Sequence, residues 1–528
     1  MPRAFENRFK TVHLCLRFGL SMTSKRDISD IVVGLCKKRG FFWGPSPEIY
    51  GGSSGLYDLG PLGKLMKNRL EAAIRDSFVR VNYWEVECPT VAPEIVWKAS
   101  GHLEGFVDPV TRCTKCGQAY RADNLIEEQA PDAKIRGLSL DQLTKKIKEL
   151  GVRCPACKGE LGPVERFNLM LKTRLGLDQD AYMRPETATT TYLIFKRLLT
   201  FFRDKLPAGV FQIGKAYRNE ISPRQGMLRL REFTQVEGQL FILTEDEQSW
   251  SQFDSIKGDE LPLLPYQAQI DGPNQVQLFS ISDALEQGHF KTKAYAWCVD
   301  LAFRIFRTMG FSLESMRLRQ HLPAERAHYA ADAWDIEVYT NSFGWVECCG
   351  IHDRGSYDLG RHQEFSKESL SVKSGTETVV PNVLEIAFGV ERPLFCHIDR
   401  AYAEDSERVW LKFPPHIAPI QVGVFPLMGK PELEGPAAEI HKELLDSGLV
   451  AYLDSSGSIG RRYRRQDEVG TPFCVTVDYQ SLKDNTVTIR DRDSMEQVRV
   501  SRTDLLKTLQ DLVRGNQVLG APPTGQRT

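Results

Sequence analysis

Between Phe211 and Glu237 the chain reads FQIGKAYRNE, then ISPRQGML, then RLREFTQVE. Pro223 and Gly226 mark a loop between two extended segments. A period of two places Arg218 and Glu220 on one face of the outgoing segment. On the return it places Arg229, Arg231, Phe233, Gln235 and Glu237 on one face. A sheet face carrying arginines, an aromatic ring and carboxylates cannot be a plain apolar core. It is either a solvated outer face laced with salt bridges or a binding surface. In the second case guanidinium groups take phosphate bidentately, the ring stacks on a base, and a carboxylate beyond them accepts an ammonium.

The rest of the chain bounds what such a surface can serve. At 528 residues about three domains are expected. No apolar run reaches the ~18 residues that cross a bilayer, so no membrane partner is expected. The net charge is −1, so a nucleic acid must be held by local basic patches rather than a global field. The chain has 12 cysteines without the pattern of a disulfide framework, which points to the cytoplasm. Cys15, Cys36, Cys88, Cys298, Cys348, Cys349, Cys396 and Cys474 read as small buried hydrophobes. Residues 1–26 form a leader. Arg3, Arg8, Lys10 and Arg17 against Glu6 give it a transit-peptide flavour, and a disordered stretch ahead of Met22 is the preferred reading.

Helices are expected over Ile31–Phe42 and Pro61–Val79, and a strand over Trp84–Cys88. Residues 110–165 form an insert, with a helix opened by the capping box of Ser139 and Gln142 and carrying Leu140, Leu143, Ile147 and Leu150 at helical spacing. Strand patterns return at 334–348 and 383–388. After Pro414 and Pro415 strands and helices alternate: strands at 420–425, 450–453, 473–477 and 486–490, and a helix near 436–447. That is an α/β domain. The polar tail from Gly515 is expected to be disordered.

The insert is bounded by Cys113-Thr-Lys-Cys116 and Cys154-Pro-Ala-Cys157. Each turn presents two thiolates, and four thiolates complete the closed tetrahedral shell zinc favours. No position is left open, so such a site is structural.

With these motifs in view, the chain resembles the class II aminoacyl-tRNA synthetases. RNEISPRxGxxRxREFTxxE is similar to motif 2 of the glycyl enzymes. Val383-Leu-Glu385-Ile-Ala387-Phe-Gly389-Val-Glu-Arg392 resembles motif 3, and Pro89 with the helix before it resembles motif 1, the dimer element. Further similarity lies in residues 55–63, Ala99-Ser-Gly-His102, Arg121-Ala-Asp123, Arg184-Pro-Glu-Thr187, Gly344-Trp-Val-Glu347, Asp353-Arg354 and Tyr357-Asp-Leu359. It covers about residues 28–515.

The resemblance implies an α+β fold: an antiparallel-sheet catalytic core over 27–412, with the zinc insert at 110–165 and an insertion at 245–335. An anticodon-binding domain at 413–515 and a tail at 516–528 follow. It implies a ligase that activates glycine with ATP and Mg²⁺ and charges tRNA(Gly), working as a homodimer in the cytoplasm. By the same resemblance Arg218 contacts the α-phosphate and Arg392 the γ-phosphate. Asn219, Glu220 and Arg229 line the nucleotide site with Leu228, Leu230, Arg231 and Glu232. Phe233 stacks on adenine, and Glu347, Cys348 and Gly389 complete that site. Glu186, Glu237 and Glu385 form an acidic cage for the glycine ammonium, near Arg121, Phe233, Arg354 and Ala387.

One position departs from the pattern. The family reads Glu-Pro-Ser where this chain has Glu385-Ile386-Ala387, so a hydroxyl beside the substrate is missing. A class II ligase for another small amino acid is therefore an alternative, and a synthetase-like accessory protein that binds nucleic acid without catalysis is a second. In the C-terminal domain Arg461, Arg462, Arg464 and Arg465 open a helix around Tyr463. The run is either a tRNA contact or a solvated helix start.

Overall fold

Helix α1 (Lys25–Arg39) stops where Gly40 takes φ +75°, a left-handed conformation that glycine adopts without strain. Phe41 and Phe42, expected as its last residues, instead turn inward and are buried. The computed structural model describes residues 25–520, apart from 132, 134, 136, 222, 224, 225, 273, 324 and 326–330. Residues 1–24 of the basic leader, Cys15 among them, and residues 521–528 of the expected tail lie outside the described residues.

Helix α2 (Pro61–Arg80) buries Met66, Leu70, Ile74 and Phe78 along one stripe, and strand β1 (Tyr83–Glu85) follows. In the insert, helix α3 (Leu140–Glu149) has the expected capping box and buries Leu143 and Ile147. Helix α4 (Ala188–Tyr192) precedes the central hairpin. Its strands are β2 (Ala208–Tyr217) and β3 (Glu232–Ile242). Then come β4 (Glu260–Leu264), β5 (Gln277–Ser280) and α5 (Lys293–Thr308). Strands β6 (Met316–Gln320), β7 (Asp332–Thr340), β8 (Gly344–Gly355) and β9 (Asn382–Gly389) lead into α6 (Glu391–Ala401).

These strands form one nine-stranded sheet in the order β5-β4-β6-β7-β8-β9-β3-β2-β1. All neighbours are antiparallel except the pairs β4–β6 and β1–β2. Helices α2 and α5 pack on one face. Along the central strands the alternation divides the residues cleanly. Val236, Ile386, Ile351 and Ile336 enter the main core with α5. Glu237, Ala387, Gly350 and Asp335, one position off, form a row across four strands on the opposite face.

Three expectations need correction. The single strand pattern at 334–348 is two strands, because Asn341, Ser342 and Phe343 turn between β7 and β8, with Asp399 accepting the amides of Asn341 and Ser342. The segment 245–335 is not a separate insertion. It supplies β4, β5 and β6 to the sheet and the buried helix α5. The hairpin is shorter than its period suggests: β2 ends at Tyr217 and β3 begins at Glu232, so Arg218, Glu220, Arg229 and Arg231 sit in the connecting loop.

The C-terminal unit is a five-stranded mixed sheet. Its elements are β10 (Val422–Pro426), α7 (Pro431–Asp446), β11 (Ala451–Leu453), α8 (Ile459–Val469), β12 (Phe473–Val477), β13 (Thr486–Asp491), β14 (Gln497–Ser501) and α9 (Leu505–Arg514). The strand order is β11-β10-β12-β13-β14. Strand β14 and helix α9 were not foreseen. Asp467 of α8 is fully buried between Arg408, at 3.0 Å, and Arg490, at 2.9 Å. Arg408 precedes Pro414 and Arg490 follows it, so this triad ties the C-terminal sheet to the catalytic unit.

Candidate active site, metal centre and basic hollow

On the face opposite α5 lies a cavity of about 210 Å³. Its walls come from the β2–β3 loop (Arg218, Glu220, Leu228, Arg229, Leu230), from Phe233, Gln235, Ala387 and Gly389 on the sheet, from Glu347, Cys348 and His352 on β8, and from Arg392 of α6. Arg218 is half-buried, with Nε 3.2 Å from the Pro185 carbonyl. Its guanidinium stands over the rings of Phe106, at 5.4 Å, and Phe233, at 5.3 Å. It touches no carboxylate among the described residues. Burial, followed by the charge of Arg392, lowers its pKa, so the two guanidinium groups repel and an anion between them is favoured. Arg392 is held by the carbonyls of Leu228, at 3.1 Å, and Glu347, at 2.9 Å. Among the described residues Glu220 Oε2 is buried without a hydrogen-bond partner, with Arg229 Nε 3.9 Å away.

The carboxylates of the expected acidic cage reach the cavity through two of its wall residues, Gln235 beside Glu237 and His352 beside Glu385. Glu237 accepts from the Thr187 hydroxyl at 2.6 Å and the Gln235 amide at 2.7 Å, and no cation among the described residues pairs with it. Burial, then the charges of Glu385 and Glu186, push its pKa well above the carboxylate range. Glu385 is in the opposite situation. Burial pushes its pKa up, but Arg354 Nη1 at 3.1 Å and His352 Nδ1 at 3.1 Å hold it down at about 2. Gln239 Nε2 also donates to it, at 2.9 Å. Glu186 accepts from Thr189 at 2.7 Å and faces His102 at 3.5 Å. Against the effect of burial, His102 and Arg354 keep it ionised. Arg354 is itself forked onto Asp358 at 2.7 and 2.8 Å. Arg184, fully buried, reaches the Lys215 carbonyl at 2.7 Å and Gln212 at 2.6 Å. It thereby fixes the segment carrying Glu186 and Thr187 against β2.

Not every expected residue arrives here. Asn219, Arg231 and Glu232 do not line the cavity, and neither do Glu186, Glu237, Glu385 and Arg354. Arg231 donates instead to the Glu220 carbonyl at 3.0 Å and so shapes the loop, while Glu232 pairs outward with Lys215 at 3.0 Å. Arg121 lies apart from the cage, clamped between Asp108 at 3.2 Å and Asp123 at 2.5 Å. Among the wall residues that went unnoticed in the sequence are three titratable ones, His352, His321 and Asp335. His321 Nε2 lies 2.7 Å from Asp335 Oδ2. His352 was findable, since period two counted back from Arg354 places it on the same face. His321 and Asp335 carry no such signal.

In the insert the four sulfurs of Cys113, Cys116, Cys154 and Cys157 lie within 4.8 Å of one another, with Cys113–Cys157 at 3.4 Å and Cys116–Cys154 at 3.7 Å. A tetrahedron of ~2.3 Å zinc–sulfur bonds has edges of ~3.8 Å. The backbone amides of Lys115 and Cys116 point at Cys113 Sγ from 3.4 and 3.5 Å. A Cβ on Gly159 would come within 3.2 Å of two of the sulfurs, so the backbone wraps closely around the cluster.

The C-terminal basic run divides. Arg461, Arg464 and Arg465 line an open hollow with Ser458, Gly460 and Glu468. Arg465 is also held by Asp454 at 2.6 Å. Arg462 is 1% exposed and donates to the carbonyls of Pro426 and Gly457. The expectation that it contacts tRNA is therefore corrected. At the fourth position of α8 it points inward, where free carbonyls from β10 and the preceding loop require donors.

Residues 171–259 match the tRNA synthetase class II core domain (G, H, P, S and T), and residues 421–512 match the anticodon binding domain. The chain is 41% identical to the glycine–tRNA ligase of Thermococcus gammatolerans, an alignment covering 94% of this chain and 100% of that one. It is 40% identical to that of Pyrococcus horikoshii, over 94% and 100%, and 39% identical to that of Methanocaldococcus jannaschii, over 93% and 100%. Among solved structures, the Giardia lamblia prolyl-tRNA synthetase in complex with prolyl-adenylate superposes with a TM-score of 0.60 at 16% identity, covering 93% of this chain and 80% of that one.

Proposed function

Because the chain belongs to the glycine–tRNA ligases, class II synthetases that activate glycine with ATP and charge tRNA, we propose the following division of labour among its residues. One observation carries it. The guanidinium groups of Arg218 and Arg392 line a cavity, and behind its wall residues Gln235 and His352 lie the buried carboxylates Glu237 and Glu385, with Glu186 half-buried; an aminoacyl adenylate has anionic phosphate at one end and an ammonium at the other.

Arg218 takes the α-phosphate and Arg392 the γ-phosphate. Phe233, with Gly389 leaving its ring uncovered, stacks on adenine, and the orphaned oxygen of Glu220 accepts a donor of the nucleotide. Glu347, at the open edge, faces the Mg²⁺ that accompanies ATP. Asn219, Arg231 and Glu232 act indirectly, by holding the loop. Glu186, Glu237 and Glu385 receive the ammonium, and Arg354 orients Glu385. The glycine carboxylate, already ionised, attacks the α-phosphorus and pyrophosphate leaves. Arg218, preorganised before reaction, stabilises the charge spreading over the transferring group. A ribose hydroxyl of tRNA then attacks the adenylate.

The insert holds structural zinc through Cys113, Cys116, Cys154 and Cys157, with no open position for catalysis. Arg461 and Arg464, with Arg465 beside them, offer phosphate contacts to tRNA(Gly). A homodimer is supported by the exposed Trp84 on edge strand β1, whose ring packs at 5.2 Å on the exposed Phe201, apolar surface that association would cover. Free thiols at every described cysteine suit the cytoplasm, and no helix among the described residues is long and apolar enough to cross a membrane.

The test is ATP–pyrophosphate exchange with a panel of amino acids. Exchange with glycine alone is expected, and exchange with alanine at a comparable rate would remove the glycine assignment.

A further inference from the structure

Strands β8 and β9 meet on the site face at two register pairs, His352 opposite Glu385 and Gly350 opposite Ala387. The imidazole of His352 does not stand upright between them. It leans along its own strand over Gly350, so a Cβ built on that glycine would lie 2.6 Å from Cε1 and 3.1 Å from Nε2. Its Nδ1 lies 3.1 Å from Glu385 Oε1. A carboxylate only accepts, so Nδ1–H is the donor. The ring of His321 stands edge-on at 6.3 Å. Nε2 and Cε1 are left to the cavity, whose wall His352 shares with Gly350 and Ala387. Gly350 has no side chain and Ala387 only a methyl. The ring occupies the room those two small residues leave.

We propose that His352 is a specificity-determining residue: seated on Gly350 and hooked to Glu385, its ring fills the space that a substrate side chain would need. This rests on the assignment of the cage to the amino acid made above. A pocket that merely lacks contacts for a methyl discriminates weakly, whereas an obstacle with no freedom to move rejects it. The hydrogen bond to Glu385 and the close seat on Gly350 remove that freedom. The missing hydroxyl at 387 then has a counterpart. The wall that a longer residue on β9 would form is supplied from β8, and Ala387 must stay small to admit the ring.

Two variants separate this from a structural role. His352→Asn keeps an amide donor for Glu385 but is shorter by the Cε1–Nε2 edge, and His352→Phe keeps the ring but loses the donor. In pyrophosphate exchange, the Asn variant should shift the alanine-to-glycine ratio of kcat/KM upward by about tenfold or more. The Phe variant should hold that ratio near the wild-type value while raising KM for glycine. Where a variant has no turnover, the ratio is read from calorimetric affinities for the sulfamoyl analogues of glycyl- and alanyl-adenylate. An unchanged ratio in the Asn variant by either measurement overturns the proposal, as does equal loss of discrimination in Asn and Phe. Wild-type protein that fails to exchange with glycine overturns the functional assignment instead.

Discussion

Glu237 and Glu385 are both buried carboxylates of one cage, yet the structure gives them opposite charges of work, and Glu237→Gln exposes the difference. Glu237 has two neutral donors and, among the described residues, no paired cation, and its pKa is raised by burial and by Glu385 and Glu186. Burial and the two neighbouring carboxylates therefore favour its neutral form in the free protein, and glutamine is close to an isostere of that form. Folding stability should move by no more than about 1 kcal/mol, the value of one neutral hydrogen bond. Glycine binding should suffer far more. A hydrogen bond to the charged ammonium contributes ~1.5–3 kcal/mol, so KM should rise between about 10- and 140-fold at 1.4 kcal/mol per decade. The same argument fixes the pH dependence. Binding the ammonium ionises Glu237 and expels its proton, so wild-type affinity for glycine should tighten as pH rises towards the raised pKa, and the variant should show a flat profile. Stability without ligand runs the other way. A carboxyl with a raised folded pKa contributes stability that is complete below the unfolded pKa and lost as pH rises through the folded one. Above that point Glu237→Gln should be the more stable protein. Calorimetry of glycine binding in buffers of different ionisation enthalpy reads the proton directly. No proton release in wild type, or an identical pH slope in the variant, would refute the reasoning.

The contrasting change, Glu385→Gln, should destabilise the protein by about 3 kcal/mol, since it leaves Arg354 and His352 facing a neutral amide in a buried site. Because its folded pKa is depressed to about 2, the stability Glu385 contributes is present above the unfolded carboxyl pKa and lost as pH falls through 2. Urea unfolding as a function of pH measures both. Arg218→Ala and Arg392→Ala should each lower pyrophosphate exchange by about 10²–10³ with the fold intact, and near-wild-type exchange in either would show the phosphate assignments to be wrong. Metal analysis should return one zinc per chain, and Cys154→Ser should destabilise the insert; zinc-free protein whose melting is indifferent to chelators would exclude the site. Arg462→Ala should lower Tm without a selective effect on KM for tRNA, while Arg461→Ala paired with Arg464→Ala should raise that KM and leave pyrophosphate exchange untouched. Equal effects on tRNA binding from the two sets would contradict the burial of Arg462.

What the sequence disclosed and what it withheld follow one physical division. Chemistry that depends on spacing within a short segment was legible. The CxxC turns bring four sulfurs together, Ser139 and Gln142 cap α3 as their separation requires, and Phe233, Gln235 and Glu237 share a strand face. Chemistry that depends on where a strand ends was not. The alternation around Arg218 and Arg231 continues in the sequence past the last ladder pair, Tyr217 with Glu232, because period two describes side-chain order and does not register the loss of hydrogen-bond partners. Arg231 accordingly turned from a ligand into a brace for the loop. The same blindness hid the inward turn of Arg462, where the deciding fact is a set of unpaired carbonyls contributed by β10 and the loop before α8. It hid His352 as well. Period two from Arg354 gives its face, but Glu385 and Ala387 come from β9, and only strand register sets Glu385 opposite it and Ala387 one pair along, opposite Gly350. Local pattern therefore gave the reacting groups, and tertiary register gave the walls around them. Within this cavity the walls decide which amino acid fits, so the departure at Ala387 is interpretable only together with the ring that faces it across the ladder.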